Sequence, residues 1–239
     1  MNYTRSVFLV WLVCSCIGVV AQPAHADTAG YLRDIRIELQ KKWPANRTIN
    51  LVFHGHSVPA GYGRTPEVNI FDSYPYQVLR RLKQLYPYAV INVIVTAIGG
   101  ENSTQGAQRF EKEVLIHRPD VLFIDYALND RKIGLQKAKE NMEDMIHKAL
   151  QQNIPVILLT PSADVNVPLL QAHNELEQFA DQIRQLAAKY GVGLADSYSM
   201  FRQVEEKGED IHVYMAQSNH PNAMGHALIA AEIMRYFQP

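Results

Sequence analysis

Apolar residues along this chain are grouped in two patterns. Short runs rich in β-branched side chains alternate with longer stretches in which apolar residues recur every three or four positions. The first pattern is typical of strands buried on both faces, and the second is typical of amphipathic helices. The predicted strands cover residues 49–53, 90–96, 121–124, 155–159 and 192–195.

The predicted helices lie between these strands and at both ends of the chain. They cover residues 74–85, 135–150, 169–190 and 223–237, and a short helix precedes Pro44. Strands joined by helical crossovers form a parallel sheet with helices on both faces. We therefore predict a single α/β domain over residues 49–239, with three α/β/α layers and about five parallel strands. Residues 27–48 form a predicted N-terminal helical extension.

The start of the chain predicts a cleaved signal peptide over residues 1–26. Arg5 supplies a positive charge, residues 7–21 form an apolar run, and Ala24-His25-Ala26 resembles a cleavage site with small residues. The alternative is a retained membrane anchor, but the run is shorter than the ~20 residues of a spanning helix. We expect cleavage after Ala26 and a secreted or periplasmic protein without stable membrane insertion.

Composition narrows the chemistry further. Both cysteines, Cys14 and Cys16, fall in the predicted signal peptide, so we expect no thiol nucleophile, disulfide or cysteine-bound zinc in the mature protein. The formal net charge of -1 gives no indication of nucleic-acid binding. The oligomeric state leaves no recognisable pattern in the sequence.

Small, polar and titratable residues follow several of the predicted strands. Ligands of an open parallel sheet bind beyond the carboxyl ends of its strands, so we expect these residues to converge at one edge. The four stretches are His54-Gly55-His56-Ser57, Ala97-Ile98-Gly99-Gly100-Glu101-Asn102, Leu128-Asn129-Asp130, and Asn219-His220-Pro221-Asn222 before the last helix.

These residue types suit nucleophilic catalysis on an ester. A hydroxyl nucleophile needs a base for its proton and donors for the oxyanion that develops. Ser57 follows a strand and can be the nucleophile, and His220 can act as base and then as acid. Gly100 can offer an unobstructed backbone N–H, and Asn129 can offer its side-chain amide.

The four stretches resemble the conserved blocks of the SGNH (GDSL-like) hydrolase superfamily, in the family's order. Gly55-His56-Ser57 is similar to the first block, Gly100 to the second-block glycine, Ala127-Leu128-Asn129-Asp130 to the third block, and His220-Pro221-Asn222 to the last. The resemblance implies a flavodoxin-like fold with Ser57 as nucleophile and His220 as base. It also implies an oxyanion hole made by Ser57, Gly100 and Asn129, and no cofactor.

Three positions depart from the family pattern. His56 replaces an aspartate, Ala127 replaces a glycine, and Gln217 stands three residues before His220, where the family has its triad acid. We expect a Ser57–His220 dyad whose base is oriented by a backbone carbonyl or by the Gln217 oxygen. A displaced acid, either Glu209 or Asp210, is the alternative.

Other residues near the blocks have weaker interpretations. Asp130 is expected to be structural, with a hydrogen bond to the first-block loop near His56, and His226 to pack behind the site. His54 and His56 share one face of a strand and are candidate metal ligands, but no third ligand group accompanies them, so we predict no metal site.

The sequence therefore predicts an exported serine esterase that acts on a small-molecule or glycan ester. O-acetyl groups on carbohydrate are the favoured substrate, by analogy with the family. Three alternatives stay open: a short-chain lipase or lysophospholipase-type esterase, a metal-dependent hydrolase using His54 and His56, and a catalytically impaired descendant that binds glycans. The acyl chain and the alcohol are not indicated.

Overall fold

The structure, a computed structural model, describes residues 26–238 of the chain. The predicted signal peptide therefore lies outside the described residues, except for Ala26. Five parallel strands form one sheet in the order β2-β1-β3-β4-β5. The strands are β1 (Thr48–Gly55), β2 (Val90–Val95), β3 (Val121–Asp125), β4 (Val156–Leu159) and β5 (Gly193–Ala195). The prediction of a parallel α/β sheet is confirmed.

Eight α-helices flank this sheet within the described residues. They are α1 (Arg33–Gln40), α2 (Ser57–Ala60), α3 (Tyr74–Leu85), α4 (Ser103–Glu113), α5 (Leu135–Gln151), α6 (Glu175–Tyr190), α7 (Ser197–Glu206) and α8 (Ala223–Met234). Helices α1, α3, α7 and α8 contribute to one core cluster, and α4 and α5 contribute to the other, with α6 reaching both. The molecule is therefore a three-layer α/β/α domain.

Strand side chains divide between the two cores because successive residues of a strand point to opposite faces. Leu51 and Phe53 belong to the first core, whereas Val52 between them belongs to the second. The same division holds along β3 and β4, whose residues are all buried. Strand β2 lies at one edge of the sheet and is different, because its residues are exposed or half-buried. The expectation that this strand is covered on both faces was wrong.

The helix predicted over residues 169–190 begins later than expected, at Glu175. Asn174 caps α6, since its side chain accepts a hydrogen bond from the Glu177 N–H, and its amide donates to the Leu169 carbonyl. Leu169 is buried, but it packs from a loop that contains Pro168. Apolar periodicity alone therefore extended the helix too far toward the N-terminus.

Three helices, α2, α4 and α7, were not predicted from the apolar pattern. Helix α4 buries only Ser103, Gly106 and Phe110, so its apolar stripe is too thin to recognise. A capping box between Asn102 and Gln105 defines its start. A further small antiparallel pair, β6 (Met215–Gln217) and β7 (His220–Pro221), lies outside the main sheet. Over residues 26–238, no helix has both the length and the apolar character needed to cross a bilayer.

Candidate active site

Ser57 lies at the carboxyl end of β1, at the first position of the short helix α2. His56 caps this helix, because its Nδ1 accepts a hydrogen bond from the Val58 N–H at 3.2 Å. The strand can turn here because Gly55 has no side chain: a Cβ at that position would lie 2.4 Å from the Asp125 carbonyl oxygen. The central strands β1 and β3 therefore pack closely where the serine emerges.

His220 contacts Ser57 across 163 residues of sequence. Its Nε2 lies 2.8 Å from the Ser57 Oγ, and its Nδ1 lies 2.9 Å from the Gly63 carbonyl oxygen. A carbonyl oxygen only accepts hydrogen bonds, so Nδ1 carries the proton and the lone pair of Nε2 faces the serine. Both side chains are buried, each with a relative exposure of 6%. This is the arrangement that a general base needs.

The structure distinguishes between the groups that were proposed to orient His220. Gln217 accepts a hydrogen bond from the Thr65 N–H at 3.0 Å, and among the described residues no hydrogen bond joins its side chain to the imidazole. Asp210 pairs with His212, and Glu209 accepts a hydrogen bond from the Tyr214 hydroxyl. The displaced acids therefore have other partners, and the Gly63 carbonyl is the group on Nδ1.

Burial governs the ionisation of His220. Desolvation lowers the pKa of its imidazole below the ordinary value near 6.5. The hydrogen bond to the Gly63 carbonyl raises this pKa by a smaller amount, and the nearby His56 lowers it further. A lowered pKa keeps the imidazole neutral at pH 7, which is the form that accepts a proton.

Three N–H groups in the predicted site lack a hydrogen-bond partner within residues 26–238. Within residues 26–238, no hydrogen bond engages the backbone N–H of Ser57 or of Gly100. Gly100 has a φ of +84°, a conformation that favours glycine. Asn129 donates one amide proton to the Glu101 carbonyl at 2.8 Å, and its second proton has no partner in the described chain. That hydrogen bond ties the Gly100–Glu101 turn to the end of β3.

The residues behind the serine form a buried polar chain. His56 Nε2 lies 3.3 Å from an Asp125 carboxylate oxygen, whose other oxygen accepts a hydrogen bond from Tyr74 at 3.0 Å. His226 Nδ1 accepts a hydrogen bond from the Tyr74 N–H at 3.2 Å, so it lies behind the site without contacting the serine. Asp125 and Tyr74 were not singled out from the sequence. Asp125 is the last residue of the apolar strand β3, and Tyr74 is the first residue of α3.

Asp130 differs from its predicted contact. It accepts a hydrogen bond from the Ser103 N–H at 2.7 Å, at the start of α4, and Asp125 rather than Asp130 faces His56. Burial raises the pKa of the Asp130 carboxyl to about 6, against the opposing effect of the Ser103 hydrogen bonds. Asp130 thus joins the second and third blocks, and the expectation that it bonds the first-block loop was wrong.

The two candidate metal ligands, His54 and His56, each contact other protein groups. His54 Nδ1 contacts the Thr96 hydroxyl at 3.0 Å, and its Nε2 contacts the Gly106 carbonyl and the Tyr126 hydroxyl, both at 3.2 Å. Among residues 26–238, no three His, Cys, Asp or Glu side chains lie close enough to hold a metal ion together.

Gly63, which contacts the base directly, is a further site residue that the sequence analysis missed. It contributes a backbone carbonyl, a group that every residue carries, so no side-chain pattern marks it. Its neighbour Tyr62 packs beside the His220 ring with centroids 5.9 Å apart, and the Tyr62 ring also fills the space where a Cβ of Gly99 would lie. The Gly-Tyr-Gly sequence after α2 is the one local feature that indicates a tight turn here.

Two solved structures with a similar fold are described as esterases. A two-domain esterase (CEX) active on acetylated mannans has a TM-score of 0.70 and 22% identity over 87% of this chain and 52% of that chain. This chain thus spans about half the length of that esterase. Axe2, an acetylxylan esterase from Geobacillus stearothermophilus, has a TM-score of 0.70 and 20% identity over 80% of this chain and 94% of that chain. At these identities the likeness concerns the fold.

Three further structures of Axe2 are of catalytic mutants, in which a serine, an aspartate or a histidine is replaced by alanine. The aspartate lies three positions before the histidine in that protein. No curated protein sequence matches this chain at a significant level. The GDSL-like Lipase/Acylhydrolase family matches residues 53–228, which include all four blocks and both members of the Ser57–His220 pair. The chain therefore belongs to the GDSL-like lipase/acylhydrolase family of SGNH hydrolases.

Proposed function

We propose that this enzyme is a serine esterase that operates with a Ser57–His220 dyad instead of a triad. The contact that carries the proposal is the 2.8 Å distance between Ser57 Oγ and His220 Nε2, combined with the Gly63 carbonyl on Nδ1. A nucleophile, its base and a group that orients the base are the three elements of this chemistry.

The reaction follows from these positions. His220 Nε2 takes the proton of Ser57 Oγ as the oxygen attacks the ester carbonyl. The N–H groups of Ser57 and Gly100, with the free amide proton of Asn129, hold the oxyanion of the tetrahedral intermediate. The imidazolium then gives its proton to the leaving alcohol, and water activated at the same imidazole hydrolyses the acyl-enzyme.

A carbonyl in place of the usual carboxylate changes the energetics of the base. Like a carboxylate, the Gly63 carbonyl holds the proton on Nδ1 and keeps the correct tautomer. It carries no full charge, so it stabilises the imidazolium less than a carboxylate does. In a built triad, replacing the acid by an amide costs about 10⁴ in rate, largely because the tautomer is wrong. The dyad avoids this tautomer error.

For the substrate, we propose O-acetyl groups on a carbohydrate, met outside the cytoplasm after export. The support is the fold shared with esterases active on acetylated mannan and acetylated xylan, and the signal-peptide pattern of residues 1–26. Acetylated mannan and acetylated xylan appear in the descriptions of those two proteins, not of this one. A short-chain lipid ester is the competing substrate.

Covalent labelling of the purified protein tests the mechanism. A fluorophosphonate probe should label the enzyme, and Ser57→Ala should abolish labelling and lower turnover of 4-nitrophenyl acetate by at least about 10³-fold. Ser162→Ala is the matched control: Ser162 is also a buried serine beyond a strand end, but its hydroxyl has no partner. This variant should label normally.

Other outcomes identify the alternatives. Activity that is lost with a chelator, restored by zinc, and retained in Ser57→Ala would indicate a metal-dependent hydrolase. Polysaccharide binding without labelling or turnover would indicate an impaired descendant. Faster release of acetate from acetylated glycans than of fatty acid from short-chain lipid esters supports the proposed substrate, and the reverse order contradicts it.

A further inference from the structure

The residue at the position of the family's acid contacts a turn that itself contacts the base. Gln217 Oε1 accepts a hydrogen bond from the Thr65 N–H at 3.0 Å, across 152 residues of sequence. Thr65 is two residues after Gly63, whose carbonyl orients His220. Gln217 and His220 thus bind the same short segment, one at its tip and one near its base.

The segment is a small hairpin over residues 62–68. Tyr62 and Val68 form an antiparallel bridge, and the Gly63 N–H donates to the Glu67 carbonyl at 3.1 Å. The Tyr62 N–H also donates to the Ser57 carbonyl at 3.0 Å, which attaches the start of the hairpin to helix α2. The tip at Thr65 is exposed, and its backbone contact with the rest of the molecule is the one to Gln217.

A cavity separates much of this hairpin from the neighbouring segment. It has a volume of about 350 Å³, and its lining includes Arg64, Glu67, Met215 and Asn222. The hairpin therefore has little packing on that side to resist movement. A shift of the Gly63 carbonyl would turn the imidazole away from Ser57, since one ring nitrogen binds the carbonyl and the other faces the serine.

We infer that Gln217 is a positioning residue for the catalytic base, acting through the hairpin rather than on the imidazole. Its hydrogen bond to Thr65 holds the hairpin so that the Gly63 carbonyl meets His220 Nδ1. The position that holds the acid in the family thus still supports the base here, through one intervening turn. This inference rests on the proposed Ser57–His220 dyad.

Steady-state kinetics of Gln217→Ala test the inference. The variant should lower kcat for 4-nitrophenyl acetate about tenfold, with little change in KM, because one neutral hydrogen bond is lost away from the substrate. Gln217→Glu keeps an acceptor oxygen at the same reach and should restore kcat. Gln203→Ala removes an exposed glutamine of α7 and serves as the matched control.

The pH profile separates positioning from a merely structural role. The Gly63 hydrogen bond raises the pKa of His220, so its loss in Gln217→Ala should move the acid limb of kcat to lower pH. Besides Gly63 and Ser57, the groups around this imidazole are Tyr62 and the rings of His56 and His226. These groups are unchanged in the variant.

Each result has a defined meaning. A tenfold loss of kcat that Gln217→Glu restores, with a shifted acid limb and an unchanged melting temperature, supports the inference. An unchanged kcat, an effect on KM alone, or an equal loss in Gln217→Glu overturns it. Fluorophosphonate labelling of the wild type distinguishes failure of the proposed function from failure of this inference. If the wild type is not labelled, the proposed function itself fails. If it is labelled and Gln217→Ala has a normal rate, only the role of Gln217 is removed.

Discussion

The two sides of Ser57 are supported in different ways. On the Asn129 side, the Gly100–Glu101 turn is held by the ion pair between Glu101 and Arg109, with both nitrogen-to-oxygen contacts at or below 2.9 Å. Those two side chains are mostly buried, with relative exposures of 15% and 12%. On the His220 side, one neutral hydrogen bond holds the tip of the hairpin, and the exposed Thr65 donates it to the half-buried Gln217.

This difference shows which function each side is built for. Donors for an oxyanion act by being fixed in place before charge develops, and a buried, doubly bonded ion pair supplies that rigidity. A base must hold one tautomer while its proton moves, and a single carbonyl is sufficient for that. We therefore expect the Asn129 side to tolerate less change than the His220 side.

The largest effect is expected from removing a donor on the Asn129 side. Asn129→Ala deletes the amide that faces the proposed oxyanion and also frees the Glu101 carbonyl. We expect kcat to fall by about 10²–10³, with a much smaller change in KM, because the donor acts mainly in the transition state. Steady-state kinetics with 4-nitrophenyl acetate measure this. A fall smaller than that of Gln217→Ala would reverse the comparison.

A smaller effect is expected from the support behind the turn. Arg109→Ala leaves the Glu101 carboxylate without its main partner, so the turn should shift and kcat should fall by about 10–100-fold. The Tyr126 hydroxyl, which Arg109 also contacts, stays in place. Arg33→Ala removes an exposed arginine and is the control. Wild-type kinetics in Arg109→Ala would show that the Gly100–Glu101 turn keeps its conformation without the ion pair.

The smallest effect concerns stability in acid, and it involves His54 on the Asn129 side and His226 on the His220 side, both of which are buried. Desolvation lowers the pKa to about 3 for both, helped by Arg109 near His54 and by His220 near His226. The unfolded chain binds protons below about pH 6.5 while the folded form does not, so stability is lost as the pH falls. Each histidine should lower the free energy of unfolding by about 0.7 kcal/mol at pH 6 relative to pH 7.

Chemical denaturation at several pH values tests this expectation. His226→Asn keeps an acceptor for the Tyr74 N–H but cannot titrate, so its free energy of unfolding should fall less steeply with decreasing pH. The comparison needs only slopes, which makes it independent of any change in absolute stability. An identical slope in the variant would show that His226 does not contribute.

The fold was largely predictable because its signals are local. Buried parallel strands such as β3 and β4 consist of apolar side chains throughout, and helices such as α3 and α5 carry wide apolar stripes. Elements with weak stripes were missed, as α4 shows, and the start of α6 was misplaced because Leu169 is apolar yet packs from a loop. Apolar periodicity reports burial, and burial does not always accompany a helix.

The sequence alone determined which residues meet at the carboxyl edge of the sheet, because a parallel α/β order brings the ends of β1, β2 and β3 together. It left open which group orients His220, with Gln217, Glu209, Asp210 and a backbone carbonyl as candidates. Only the tertiary structure identified this group as the Gly63 carbonyl, which lies 157 residues before His220 in the chain. Every residue carries a carbonyl, so its selection depends on how the chain is packed in space.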